Sequence, residues 1–288
     1  MIFINPGNSS GVFYFKRSNL NPFIKLILYY TIINLKKQII LYLGTFLITF
    51  LAVYIKNLSS EYYPVTSTFG IEGNKISYRL DKIHYGNEPF KVMILTDLKD
   101  IEGKLIWKQD DIINTNEMIY NNRTISATFP AYNPLTKVDY QVILSYNDKD
   151  YKIPRDDSLI SLKFFGGIPT LVKWLHYLLL IGGLFFSIRT GLEIFNENKK
   201  SKKFSVITLS IFIIYGVMIN PLKNSYKLGV INNSVPEITA LFDLQAVLFA
   251  IIWIAGIMII FNKKYSSAGT IIISILTLVN FIIFPFVL

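Results

Sequence analysis

Cysteine is absent from the sequence, and histidine occurs only twice, as His84 and His176. The lack of cysteine excludes disulfides, thiolate metal ligands and a cysteine nucleophile, although it does not assign the protein to a compartment. The motifs of P-loop enzymes, serine hydrolases, zinc peptidases and dinucleotide-binding enzymes are absent as well. We therefore expect a non-enzymatic protein that holds no metal and no cofactor.

Acidic residues are scarce outside the middle of the chain. Residues 56–170 contain 14 lysines and arginines and 15 aspartates and glutamates, a balance of −1. The rest of the chain contains 15 basic and 4 acidic residues, a balance of +11. A nucleic-acid-binding domain concentrates basic residues on a folded face, whereas cytoplasmic loops of membrane proteins are rich in lysine and arginine. The distribution therefore predicts a membrane protein with no nucleic-acid partner.

Apolar segments dominate what is present, since 52% of the residues are hydrophobic. A helix needs about 20 apolar residues to cross the hydrocarbon layer of a bilayer. The sequence predicts transmembrane helix 1 over residues 38–56 and helices 2 to 5 within residues 168–288, at 168–195, 204–219, 234–261 and 269–288. We expect Asn220 and Pro221 to end the third of these helices, and Ser234 and Glu237 to form a capping box that begins the fourth.

The basic clusters predict the orientation of the helices. Residues 1–37 form a basic segment, which we interpret either as a cytoplasmic interfacial helix or as an amphipathic extension of helix 1. Four lysines lie within residues 199–203, and Lys263 and Lys264 form another cluster. If these clusters are cytoplasmic, the N-terminus is cytoplasmic and the C-terminus is outside. We expect a multi-pass protein of the bacterial cytoplasmic (inner) membrane, with residues 60–166 and the C-terminus in the periplasm.

Residues 60–166 predict an extracytoplasmic β-domain, because short segments alternate between apolar and polar residues. Strands are expected at 75–83, 89–96, 103–108, 123–129, 138–146, 151–154 and 159–165, with a hairpin turn at 147–150. About seven short strands predict a β-sandwich of the immunoglobulin or fibronectin type III kind, inserted between helices 1 and 2. Residues 134–144 resemble the tyrosine corner of such domains, with Tyr140 as its tyrosine.

Helix 2 carries several of the few ionisable residues in or near the predicted membrane spans. We expect Lys173 and His176 at its outer interface, and Arg189 with Glu193 at its inner end as an ion pair one helical turn apart. A functional contact of Arg189 and Glu193 remains an alternative, because charged residues at membrane depth often have one. Asp243 is expected near the outer loop, either in solvent or facing the β-domain or a partner.

His176 and three small residues have alternative interpretations. His176 is an interfacial residue, a hydrogen-bond donor to a neighbouring helix, or a haem ligand together with a methionine such as Met218 or Met258. Gly183, Ser187 and Gly191 lie four residues apart on one face of helix 2, where small residues allow close packing of helices. That face packs either against helices of the same chain or against a partner subunit.

Four segments, EGNKISYRLDKIHYG, KLIWK, VDYQVILSYNDKDYKIP and FFSIRTGLEIF, together resemble an uncharacterised bacterial family of multi-spanning inner-membrane proteins. The resemblance extends from about Tyr63 to the end of helix 5, and it implies a periplasmic β-domain after the first helix. The family brings no assigned activity, so the resemblance implies an architecture and no site residue.

The leading functional hypothesis is a non-enzymatic inner-membrane protein whose periplasmic sandwich is an interaction or scaffold module. Its partners would be the lipid bilayer and other membrane or periplasmic subunits of a larger complex. One alternative is a transporter or channel component, whose helices line a path with polar residues such as Arg189, Asn220 and Asn280. Another alternative is a membrane redox subunit with haem on His176.

Overall fold

The computed structural model describes residues 22–197, 199–229, 238–262 and 266–284. A long helix is followed by a β-domain and then by a bundle of helices. The helices are α1 (Pro22–Leu58), α2 (Thr170–Leu192), α3 (Ser201–Ile214), α4 (Asn220–Lys227), α5 (Ile238–Leu241), α6 (Leu244–Phe261) and α7 (Ser266–Ile283). A 3₁₀ turn at Glu193–Phe195 extends α2, and a π-helical turn at Tyr215–Ile219 joins α3 to α4.

Within the described residues, five helical segments are long and apolar enough to cross a membrane. They are Leu28–Leu58, Thr170–Phe195, Ser201–Lys227, Leu244–Phe261 and Ser266–Ile283. A bilayer provides no hydrogen-bond partners for backbone groups, so continuous helices of this length suit it. The five predicted apolar helices are therefore confirmed, and their length and composition indicate a multi-pass membrane protein.

The β-domain between α1 and α2 is a two-sheet sandwich, which confirms the coarser prediction. Its strands are β1 (Val65–Ile71), β2 (Asn74–Leu80), β3 (Ile83–Tyr85), β4 (Phe90–Thr96), β5 (Glu102–Gln109), β6 (Ile112–Glu117), β7 (Ile119–Asn121), β8 (Thr124–Phe129), β9 (Lys137–Tyr146), β10 (Lys149–Ile153) and β11 (Ile160–Phe165). Sheet 1 has the order β1-β2-β4-β8-β7. Sheet 2 has the order β3-β11-β9-β5-β6, and β10 also pairs with β9.

The core of the sandwich consists of the apolar residues that alternate along the strands. Every second residue of β4 from Phe90 is buried, and so is every second residue of β9 from Val138 to Leu144. The Phe129 ring lies at the centre, 5.2 Å from the ring centroids of both Phe90 and Trp107. Burial of this continuous apolar layer is the main contribution that holds the two sheets together.

One predicted strand is two strands in the structure. Residues 75–83 were expected as a single strand, but the chain leaves sheet 1 after β2 and joins sheet 2 as β3, which pairs in parallel with β11. Tyr140 stabilises this crossing, because its buried hydroxyl donates a hydrogen bond of 2.8 Å to the carbonyl oxygen of Asp81. In a tyrosine corner, the tyrosine hydroxyl donates to the backbone a few residues upstream. Tyr140 bonds to the distant Asp81 instead, so the prediction of a tyrosine corner is wrong.

The hairpin turn at residues 147–150 is confirmed. Tyr146 pairs with Lys149, so β9 and β10 are joined by the two residues Asn147 and Asp148. Both have positive φ angles, of 49° and 59°, as the tight hairpin turn with two left-handed residues requires.

Helix α3 does not end at Pro221, contrary to the prediction. The π-helical turn at Tyr215–Ile219 precedes the proline, and the chain continues as α4 to Lys227. Proline at the start of a helical segment is tolerated, because its missing N–H would have no partner there. Asn220 and Pro221 therefore lie inside one helical path of 27 residues.

The predicted fourth helix is interrupted. Helix α6 begins at Leu244 after an extended Asp243, and the short α5 precedes it. The Asn224 side-chain amide donates to the Leu241 carbonyl at 2.9 Å and to Asp243 Oδ1 at 3.0 Å. These two hydrogen bonds stabilise the break between α5 and α6. The capping residues Ser234 and Glu237 lie outside the described residues, as do residues 1–21 of the basic segment and the lysines at 263 and 264.

Helix α1 begins earlier than predicted. It is a single helix from Pro22, so the end of the basic segment continues directly into the apolar span. This continuity favours the extension of helix 1 over a separate interfacial helix for residues 22–37.

The sandwich contacts the helix bundle directly. The Gly166 N–H donates to the Lys227 carbonyl oxygen at 2.8 Å, immediately after β11. The Lys227 ammonium lies 4.4 Å from the ring centroid of Phe165, and the Lys173 ammonium lies 5.0 Å from that of Tyr85. We call this end of the bundle the sandwich side and the opposite end, where α2 meets α3, the basic-loop side.

Candidate functional site

Polar side chains gather on the sandwich side of the bundle, where most of them are buried, although Lys227 is only partly buried and Asp243 is exposed. This sandwich-side polar cluster consists of Lys56 of α1, His176 of α2, Asn220, Lys223, Asn224 and Lys227 of α4, and Asp243 before α6. Lys56 is 2% exposed and Lys223 is 7% exposed. Buried ionisable groups in a membrane bundle are costly, and they commonly mark a functional site.

His176 and Lys223 are at the centre of the cluster. The His176 Nε2 atom lies 3.2 Å from the Lys223 ammonium, a distance that suits a lysine donating to an unprotonated imidazole nitrogen. The His176 ring also packs against the rings of Tyr177 and Tyr215. Lys56 and Lys227 act electrostatically on His176, and Asp243 acts on Lys223 and Lys227. The cluster thus combines three lysines with one aspartate.

Two side chains of the cluster keep unused hydrogen-bonding capacity. Neither side-chain atom of Asn220 has a hydrogen-bond partner within the described residues, although Asn220 is 0% exposed. The His176 Nδ1 atom is in the same situation among those residues. Asn220 directly follows the π-helical turn, and such turns are frequent at functional sites. An unpaired buried amide costs stability, so this position is a candidate contact for a bound polar group.

A second buried cluster lies on the basic-loop side. Arg189 and Glu193 form an ion pair across one helical turn, and both side chains are 0% exposed. Arg189 Nη2 donates to Gln38 Oε1 at 2.6 Å, and the guanidinium lies 4.7 Å from the Tyr42 ring centroid and 5.0 Å from that of Phe204. The Arg189 side chain therefore joins α1, α2 and α3.

Glu193 extends the same contact into the loop after α2. It accepts the Lys200 backbone N–H at 2.6 Å and the Asn196 side-chain amide at 3.1 Å. The sequence predicts the ion pair of Arg189 and Glu193, and the structure shows that both side chains are buried within the protein. The position of the pair in a bilayer stays a prediction. An ion pair with this many hydrogen bonds positions helices against each other and leaves the Glu193 carboxylate occupied.

The small residues of α2 face helices of the same chain. A methyl group on Gly183 would come within 2.6 Å of the Phe212 ring of α3, and one on Gly191 within 2.7 Å of Ser274 Oγ of α7. Ser274 also donates its hydroxyl to the Ser187 carbonyl oxygen at 2.5 Å. The face is thus filled by α3 and α7, which supports packing within the chain.

Lys173 and the acidic residues in the loops of the sandwich lie apart from these two clusters. Lys173 is partly exposed and lies over Tyr85 of the sandwich. The acidic loop residues of the sandwich have local partners: Asp111 pairs with Lys108 at 3.2 Å, and Asp157 with Lys152 at 3.1 Å. The Ser158 hydroxyl and N–H donate to Asp156 and hold the pKa of that carboxyl below its usual range. No group of three potential metal ligands occurs within the described ranges.

The surroundings of His176 do not favour a haem. Its Nε2 atom faces the Lys223 ammonium, which an iron would have to displace. Met218 and Met258, the proposed second ligands, are 62% and 71% exposed on the bundle surface. A haem iron at Nε2 would have to replace the Lys223 contact, and neither exposed methionine is placed inside the bundle to supply a second ligand.

Gln38, Lys56, Lys223 and Asn224 belong to the clusters but were not predicted as partners of helix 2. Lys56 and Lys223 look like flanking charges at helix ends in the sequence, because lysine is common there. The signal that could identify Asn220 and Asn224 is their spacing, since residues 220, 223, 224 and 227 share one helical face. That signal depends on α4 being helical, which the Asn-Pro pair argued against.

Comparison with known proteins gives no relative: no protein-family model, curated protein or solved structure matches the chain.

Proposed function

We propose that this protein is a non-enzymatic integral protein of a bacterial inner membrane whose periplasmic β-sandwich is an interaction module for another membrane or periplasmic protein. The five apolar helices anchor the module and hold it in one orientation. The contact of Gly166 with Lys227 supports a fixed orientation, because the backbone of the sandwich meets the backbone of the bundle there.

The strand order supports an immunoglobulin-like sandwich. In that fold, strands A, B, E and D form one sheet, and strands G, F and C form the other. Strands β2, β4, β8 and β7 have the order of A, B, E and D, and β11, β9 and β5 have that of G, F and C. Domains of this architecture are common on cell surfaces, which agrees with a role in recognition.

The outward face of sheet 1 carries the observation on which the proposal depends. Met93, Leu95 and Ile119 are 52%, 58% and 73% exposed there. Met93 and Ile119 both pair with Ser126, from opposite sides of β8, so their side chains point to the same face. Apolar side chains that are exposed together on one sheet face suit a contact surface for a protein.

Copurification in mild detergent tests the proposal. Wild-type protein is expected to retain a partner that the double variant Met93→Ser and Leu95→Ser loses. Leu159→Ser is the matched control, because Leu159 is 48% exposed in the loop before β11 and lies away from that face. A wild-type protein that purifies alone, or a double variant that keeps its partner, would contradict the proposal.

A transporter or channel component remains a second candidate because of Asn220. Its side-chain atoms are buried without a partner within the described residues, next to the π-helical turn. Asn220→Leu would abolish flux through reconstituted vesicles if Asn220 contacts the transported solute. Unchanged flux, or none in wild-type vesicles, would remove this candidate.

A further inference from the structure

The outward face of sheet 1 carries charge of one sign around its apolar side chains. The outward positions of its five strands include three exposed basic residues and no acidic residue, and the basic residues are Lys75 and Arg79 on β2 and Lys91 on β4. The outward face of sheet 2, in contrast, mixes lysines with Glu102, Glu117 and Asp139. Residues 56–170 contain 14 basic and 15 acidic residues, so the basic character belongs to one face of a nearly neutral domain.

The three basic residues lie beside the exposed apolar side chains of that face. Strand β2 pairs antiparallel with β4, in a register that places Arg79 next to Met93. Lys91 is two residues before Met93 on the same strand, so both side chains point to the same side of the sheet. Lys75 is four residues before Arg79 on β2, about 13 Å away at the spacing of a strand. The cations therefore border Met93 and Leu95 along β2 and at the start of β4.

Two of the three cations have no acidic partner in the part of the chain that the structure describes. Lys75 and Lys91 form no ion pair there. Arg79 pairs with Asp81 at 3.0 Å, but the two side chains are 69% and 43% exposed. An exposed pair contributes little free energy, so Arg79 can exchange Asp81 for a carboxylate of another molecule. The face thus offers three cations to an acidic ligand.

We propose that the partner of the interaction module is an acidic protein, whose contact surface places carboxylates around apolar side chains. The apolar side chains of the partner contact Met93 and Leu95, and its aspartates or glutamates pair with Lys75, Arg79 and Lys91. Complementary charges of this kind select the partner and increase the rate of association. Because it specifies the partner of the module, this assignment rests on the function proposed above.

An anionic membrane surface is the other acidic surface close to this domain, and the composition of the face argues against it. Tyrosine and tryptophan are enriched where proteins contact lipid head groups, and none of the outward positions of sheet 1 is aromatic. The bundle contacts the sandwich at Tyr85 of β3 and Phe165 of β11, which are strands of sheet 2. The outward face of sheet 1 points away from sheet 2, so these contacts leave it open to a protein.

Photo-crosslinking of the full chain in native membranes, from a photoreactive amino acid at position 93, measures partner binding. The double variant Lys75→Glu and Lys91→Glu should reduce the yield of the partner adduct by about tenfold or more, because like charges then face each other. The double variant Lys75→Arg and Lys91→Arg should keep the yield, since it keeps both charges. Lys104→Glu with Lys137→Glu is the matched control, because it changes the net charge equally at exposed positions of sheet 2.

A carbodiimide joins an amine to a carboxylate at contact distance, and it tests for the carboxylate without a charge-reversing substitution. We expect it to link Lys75 or Lys91 to an aspartate or glutamate of the same protein that position 93 captures. The double variant Lys75→Arg and Lys91→Arg should lose this link and keep the photo-adduct, because a guanidinium does not react. A protein captured at position 93 without a carbodiimide link to either lysine would contradict the acidic partner.

The remaining outcomes separate the acidic partner from the interaction module itself. A protein adduct whose yield is equal in wild type and in the Lys75→Glu and Lys91→Glu variant would overturn the acidic partner and leave the module. The absence of any adduct from position 93 would overturn both. A phospholipid adduct in place of a protein adduct would identify a membrane surface as the occupant and would also overturn the acidic partner.

Discussion

The backbone N–H of Gly166 donates a hydrogen bond of 2.8 Å to the carbonyl oxygen of Lys227, and this contact joins the sandwich to α4. The approach is so close that a methyl group on Gly166 would overlap the Tyr226 carbonyl oxygen and lie in tight contact with the backbone of Gly229. Glycine is needed at position 166 because no side chain fits between its backbone and the backbone of residues 226–229. We therefore expect the orientation of the sandwich on the bundle to depend on this contact.

Gly166→Ala is therefore expected to release the sandwich from the bundle. Spin labels on the exposed residues Ile113 and Val206 measure the separation, and the chain has no cysteine that would interfere with labelling. Wild-type protein should give one narrow distance distribution, and Gly166→Ala a broad one. Gly167→Ala should leave the distribution narrow, because its methyl group would lie 3.6 Å from the nearest backbone atom of Gly86. A narrow distribution for Gly166→Ala would show that other contacts suffice.

Breaking the buried pair of Arg189 and Glu193 is expected to destabilise the bundle. Arg189→Met leaves the Glu193 carboxylate buried without its cation, which should lower the free energy of unfolding by about 3–5 kcal/mol. The double variant Arg189→Met and Glu193→Leu should lose much less, because no charge then remains buried. Unfolding in detergent by denaturant measures both. If the double variant lost as much free energy of unfolding as the two single variants lose together, the coupling between Arg189 and Glu193 would be contradicted.

An exposed ion pair on the same side of the bundle provides the control. Lys37 and Glu197 lie 3.1 Å apart, and the Glu197 side chain is 84% exposed. Lys37→Ala should change the free energy of unfolding by about 1 kcal/mol or less, because water competes with an exposed pair.

Adjacent glycines in α2 should respond differently to the same substitution. Gly183→Ala places a methyl group within 2.6 Å of Phe212, so α2 and α3 must move apart, which should cost about 1–3 kcal/mol. Gly182→Ala meets no atom within 4 Å and should be neutral or stabilising, because alanine favours a helix over glycine. Thermal unfolding in detergent distinguishes the two. Equal effects at both positions would argue against close packing at Gly183.

Tyr140→Phe is expected to destabilise the sandwich by about 1–2 kcal/mol at neutral pH, because it leaves the partly buried Asp81 carbonyl without its donor. Burial, together with the Asp81 charge, raises the pKa of Tyr140 well above its usual range. The protonated hydroxyl is therefore favoured in the folded state. Its stabilising contribution is fully present below the ordinary tyrosine pKa of about 10 and is lost as the pH rises above that value toward the raised pKa.

Thermal unfolding of the sandwich between pH 8 and pH 11 measures this dependence. The difference between wild type and Tyr140→Phe should shrink as the pH increases. Tyr63→Phe is the control, because Tyr63 is 40% exposed and should follow the wild type. A difference that is constant with pH would contradict a buried, protonated Tyr140.

The sequence predicted best those strands that bury one face. Strands β4 and β9 alternate cleanly because both lie inside their sheets, between two neighbours. Strands β1, β6 and β7 were missed, and each lies at the edge of a sheet. All six residues of β6 are at least partly exposed, so its composition carries no alternation. Edge strands are defined by backbone pairing, which side-chain patterns do not report.

The sequence predicts the polar residues of helix 2, but it does not predict the residues that they contact. The i, i+4 spacing of Arg189 and Glu193 is visible in the sequence, whereas the contact of Arg189 with Gln38 joins residues 151 positions apart. The contact of His176 with Lys223 depends on the helix that continues through Pro221, where proline suggested an end. Long-range contacts and the accommodation of proline by a π-helical turn are consequences of packing, and neither leaves a periodic signal in the sequence.

The most direct test of the interaction module is photo-crosslinking in native membranes with a photoreactive amino acid at position 93. The account predicts one discrete adduct of a partner protein from position 93 and none from position 159, which is also exposed but lies outside the proposed contact face. No adduct from position 93, or the same adducts from both positions, would contradict the assignment of the sandwich as a recognition module.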